Sequence, residues 1–163
     1  MKATLMNLAN LLRFRSGPQD LSSSWLLTIF LVLAYLLQNL LTGQQLQDSN
    51  TASKSLVAMT LQISVLVGLL YWRRQAERFA QTLSALAGAG ILFNAIIWVL
   101  LSQSDPAQNQ STLVMLWFAV FVWSLFVDAN IYRHALSVSV SIGMLITVLL
   151  LAVNHALIRM LLL

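Results

Sequence analysis

Apolar runs recur five times along this chain, each close to the roughly 17 to 25 residues that carry a helix across a hydrocarbon core. A segment in lipid must satisfy its own backbone N–H and C=O groups, so only helices and closed barrels can span. The apolar-polar alternation of a membrane barrel is missing from the long runs. The fold class predicted is therefore all-α: a polytopic helical membrane protein of about five transmembrane helices, preceded by a short interfacial amphipathic helix. Composition points the same way. The chain is 59% hydrophobic and 9% charged, where an ordinary soluble domain carries about a quarter charged residues.

Residues 1–20 are expected to form a cytoplasmic amphipathic segment. Leu5, Leu8, Ala9 and Leu12 share one helical face, and Arg13 and Arg15 follow where lipid phosphates would lie. Gly17-Pro18 stops that helix, because proline lacks a donor and restricts its predecessor. Ser22 to Ser24 offer caps for the next one. Residues 21–163 form the bundle, with spans expected at 21–41, 55–72, 79–101, 112–130 and 135–157. The first run is too long for a signal peptide and no small-residue cleavage site follows it, so it reads as a retained span. Polar loops are expected at Thr42 to Ser53 and at Ser102 to Ser111, the latter holding Asp105-Pro106.

The third span is the packing element. Ser84 and Gly88, like Ala85 and Ala89, are four apart and let another helix approach closely. Ala87, Gly90 and Asn94 share a neighbouring face, which points the Asn94 amide into the bundle. Asp128 to His134 reads as the break before the last span. If the helix instead continues, Asp128 and Tyr132 stand one turn apart, as do Asn130 and His134.

Five spans put the termini on opposite sides. With the N-terminus cytoplasmic, that side receives Lys2, Arg13, Arg15, Arg73, Arg74, Arg78 and Arg133, and the other receives Lys54 and Arg159. Seven against two is a positive-inside bias. The net charge of +4 is thus a topology signal, and no nucleic-acid partner is implied. The expected location is a bacterial inner membrane, with the lipid bilayer as first partner.

Candidate chemistry is sparse. There are no cysteines, and His134 and His155 fall on opposite sides, where they cannot share a metal. No glycine-rich phosphate loop or serine nucleophile elbow is present. We assign no catalytic, cofactor-binding or metal-binding residue and expect no enzyme. Polar midplane candidates are Gln62, Ser64 and Asn94, all uncharged. Asn94 can make an interhelical hydrogen bond or bind a solute, and the small residues around it favour the bond. Asp128, Arg133 and His134 can dock a partner or sense protons. The preferred reading is a solvated loop with an Asp-Arg pair. Arg13, Arg15, Arg73, Arg74, Arg78, Asp128 and Arg133 are together the candidate lipid or partner contacts.

A short N-terminal segment followed by about five closely spaced spans, with a Leu11 to Leu21 lead-in reading LLRFRSGPQDL, resembles the Yip1-like membrane proteins. The resemblance implies a fold outline and no site. Some members of that family are tied to membrane traffic and small GTPases.

The function expected is a non-enzymatic interaction or assembly protein, working with a membrane-protein partner or as a homo-oligomer. Its closest contact would use Ser84, Ala85, Gly88 and Ala89. The alternative is a small oligomeric transporter or channel with a polar path near Gln62 and Asn94.

Overall fold

A computed structural model describes residues 2–45, 50–103 and 111–162. Among them are six α-helices and no strand: α1 (Lys2–Leu12), α2 (Trp25–Gln45), α3 (Thr51–Trp72), α4 (Phe79–Leu101), α5 (Ser111–Leu136) and α6 (Val140–Leu162). Short 3-10 turns at Pro18–Asp20 and Ala76–Arg78 precede α2 and α4. Helices α2 to α6 are each long and apolar enough to cross a bilayer. The chain is thus an all-α polytopic helical protein of an integral membrane type. Its outer surface carries exposed Leu26, Phe30 and Leu33 on α2, Val114 and Phe118 on α5, and Leu145 and Leu149 on α6.

Helix α4 is the axis. Residues Thr82 to Ala89 are buried without interruption, so two turns of it touch protein on every side. Small side chains make this possible. Thr28 of α2 hydrogen-bonds Ser84 between hydroxyl oxygens 2.8 Å apart and also donates to the Ala80 carbonyl. A β-carbon added at Gly90 would stand 2.5 Å from the Tyr35 ring, and one at Gly88 would stand 2.5 Å from the Leu8 side chain. Beyond the small residues Phe93 meets Trp123 of α5 edge-on, ring centres 5.1 Å apart.

Helix α1 is docked on this bundle. Leu8, Leu11 and Leu12 are buried, while Ala9, expected on the same face as Leu8 and Leu12, is exposed. Trp123 Nε1 donates to the Leu12 carbonyl. Asn7 donates to the Asp20 carbonyl, Ser16 to the Asn7 carbonyl, and Gln81 of α4 to the Leu21 carbonyl. The leader is therefore laced to α4 and α5 as well as amphipathic.

The break expected at Asp128 to His134 lies inside α5, which runs on to Leu136, and the turn is at Ser137 to Ser139. Val138 N–H bonds the Arg133 carbonyl and Ser137 takes a positive φ of 53°, the left-handed helix end usually given to glycine. The carbonyls left over are claimed from the α3–α4 turn. Arg73 donates to the Leu136 and Ser137 carbonyls, and Arg78 to those of His134 and Ala135 and to Ser137 Oγ. Guanidinium donors at a helix C-terminus also meet the negative end of its dipole. Likewise α2 continues to Gln45 and α3 begins at Thr51, so the loop expected from Thr42 to Ser53 is mostly helix at its edges. Asp105-Pro106 lies outside the described residues.

Helices α5 and α6 approach closely at Gly143, where an added β-carbon would run into the Ala129 carbonyl. Gly68 has nothing within 4 Å of such a carbon. Gly143→Ala is expected to cost about 1 to 3 kcal/mol, because backbone cannot step aside as a side chain can. Gly68→Ala should be neutral or gain up to about 1 kcal/mol of helix propensity. Thermal unfolding of both variants in one detergent compares them, and equal behaviour would mean a looser α5–α6 crossing.

Candidate functional site: a polar cavity inside the bundle

Three adjoining cavities of about 200, 220 and 200 Å³ run between α2, α3, α4, α5 and α6. Tyr35 and Gln62 border all three, and Asp128 borders the first two. Helical spacing brings these groups together. Ser124, Asp128 and Tyr132 are four apart along one face of α5, Tyr35 and Asn39 along α2, and Gly90 and Asn94 along α4.

Depth follows from a rise of about 1.5 Å per residue. From the arginine-rich end, Asp128 lies about 12 Å along α5, and Tyr35 and Gln62 about 15 Å along α2 and α3. Asn39, Asn94 and Asn154 lie about 21 to 22 Å along their helices. All of these fall within a hydrocarbon thickness of roughly 30 Å. Lys54 borders the outermost cavity with Asn39 and Ser55, toward the other end.

The wall is incompletely satisfied. Asn94 donates to Asn39 Oδ1 at 3.2 Å, and Asn39 donates to the Tyr35 carbonyl, which ties α4 to α2. The Tyr132 hydroxyl and Asn154 Oδ1 are buried without a hydrogen-bond partner, and both residues line the middle cavity. Asn130 Nδ2 is likewise buried without one. Asp128 is the single acidic residue of α2 to α6 among the described residues, and there its carboxylate has no hydrogen bond or ion pair. Native proteins seldom leave buried polar groups unpaired, so each such group calls for an explanation.

The sequence-predicted residues divide accordingly. Gln62, Asn94 and Gly90 line the cavity. Ser84, Ala85, Gly88 and Ala89 are buried within the chain's own bundle. Ser64 is exposed on the outside of α3 and bonds its own helix at the Thr60 carbonyl. Arg73 and Arg78 cap α5, whereas Arg13, Arg15, Arg74 and Arg133 are exposed. Arg133 and His134 border a shallow polar pocket with Gln19 and Arg78. Asp128, read as a solvated loop residue paired with Arg133, instead faces the cavity without that partner, because α5 carries the two residues to different faces. Tyr35, Asn39, Thr147 and Asn154 are not among the sequence-predicted site residues, and Tyr132 enters there only as the residue one turn from Asp128. Their signal is a polar residue three or four positions from another in an apolar run.

A carboxylate without a partner contributes nothing that its amide would lose. In a buffer free of alkali cations Asp128→Asn should therefore cost no more than about 0.5 kcal/mol, the range of a neutral substitution, and a higher Tm fits equally. A fall of many degrees in thermal unfolding would reveal a structural partner. Comparison with protein-family models, curated proteins and solved structures gives no match, so the reading of this cavity rests on its own geometry.

Proposed function

We propose that this chain forms a membrane-embedded path for a small polar solute, as a transporter or channel, with Gln62 and Asn94 on its wall. The observation that carries the reading is the line of cavities at hydrocarbon depth, with Tyr35 and Gln62 on each wall and Asp128 on two, bordered by all five spanning helices of one copy. Polar groups inside a membrane are expensive and gather where a substrate or ion passes.

The assembly reading drew on the small face of α4. In this fold α1 and α2 occupy that face, through Leu8 against Gly88 and Thr28 against Ser84. The weight therefore moves to the cavity. The Yip1-like outline has no bearing on it. We place the arginine-rich end on the cytoplasmic side of a bacterial inner membrane, on the seven-to-two distribution of basic residues.

Since the chain has no cysteine, single thiols report cleanly. Gln62→Cys and Asn94→Cys in native membranes are expected to react with a membrane-impermeant thiol reagent. Phe30→Cys, on the exposed face of α2, should stay protected by lipid. Equal protection at all three positions would remove the path.

A further inference from the structure

We infer that the cavity at Asp128 holds one small monovalent cation with its water, a reading that rests on the polar path proposed above. The Asp128 carboxylate and Asn154 Oδ1 are both acceptors, and neither receives a hydrogen bond among the described residues. Tyr132 is 2% exposed and its unpartnered hydroxyl lies on the same cavity. Gln62 and Tyr35 add further oxygens to this wall. Two unfilled acceptors, one of them a carboxylate, on one cavity call for positive charge.

Charge and ligand type narrow the choice. A single carboxylate balances a single positive charge, whereas calcium takes about six to eight oxygen ligands and magnesium adds phosphates to its one or two carboxylates. The oxygen donors are hard, and no thiolate or imidazole faces the cavity, which favours an alkali ion over a transition metal. Lys54 borders only the outermost cavity, and no basic side chain lines the two cavities that Asp128 borders. The volume of about 220 Å³ exceeds a bare ion and leaves room for several waters of roughly 30 Å³ each. An anion would face the carboxylate and is excluded on the same ground.

The test uses the full chain purified in detergent and compares sodium, lithium, potassium and methylammonium chlorides with N-methylglucamine chloride at equal ionic strength. A hydrophobic carbodiimide labels carboxyls in apolar surroundings, and mass spectrometry locates the adduct. Sodium or another alkali ion is expected to slow labelling of Asp128 at least threefold and to raise Tm saturably, as ligand linkage requires. Asp128→Asn should abolish the Tm response, and Tyr132→Phe should weaken both responses severalfold while leaving the charge unchanged. No response to any alkali ion, or an undiminished response in Asp128→Asn, overturns the assignment. Protection by methylammonium alone overturns it in favour of an organic amine. Thiol access at positions 62 and 94 without a cation effect would sink the cation and keep the path. Cation protection without thiol access would sink the path and keep a bound ion.

Discussion

The architecture depends on how closely other helices can approach α4. Lipid tails are as apolar as leucine, so burial of apolar surface does little to draw helices together in a bilayer, and close packing must supply the attraction. Small residues at Thr82, Ser84, Ala85 and Ala87 to Ala89, among Leu83 and Leu86, allow α1, α2 and α5 to reach the same axis. Past Gly90 the residues grow, to Phe93 and Asn94, and the helices can no longer close on one another. One side of this stretch, at Leu83, Leu86 and Ala87, still borders the first cavity, which continues past Gly90 to Phe93 and Asn94. Close packing on one side of α4 and a gap on another thus lie at overlapping depths along the same helix.

The second requirement is that helix ends leave no backbone group unsatisfied in an apolar setting. The arginines of the α3–α4 turn meet it by reaching the last carbonyls of α5. With its end capped there, α5 stays helical through Asp128 and Tyr132, which share the face that borders the cavity, while Asn130 is buried on the opposite face. Polar residues so placed contribute little to stability and constrain what the interior can hold. That opposition between packing and polarity is what separates a site from a core.

The spans were legible because run length alone decides them, and neighbouring side chains cannot change it. The segment from Asp128 to His134 was not, because a cluster of polar residues near a helix end has the composition of a loop. Its helical nature was nonetheless implicit. No glycine or proline interrupts the stretch, and Asp128 and Tyr132 keep the four-residue spacing of one helical face. Docking of α1 was illegible for a different reason. A leucine stripe is the same whether lipid or protein covers it, and only the nearby vacancy at Gly88 distinguishes the two. The arginines carried a topology signal so strong that it hid their second role as helix caps. Asn94 was singled out from sequence by the small residues around it, and in the structure its amide is bonded to Asn39 on the cavity wall.

The capping of α5 by Arg73 and Arg78 has a consequence for how the protein meets membranes of different thickness. Hydrophobic mismatch is absorbed by tilting helices or deforming the bilayer, at modest cost. Here the α3–α4 turn and the α5 terminus are joined by five side-chain hydrogen bonds from two arginines, so they tilt as one body. The distance from that joint to Asp128, about 12 Å of helix, is set by covalent geometry and not by lipid. The protein carries its own ruler: a thicker or thinner bilayer shifts the outer surface against the headgroups and leaves the carboxylate at constant depth below its arginines.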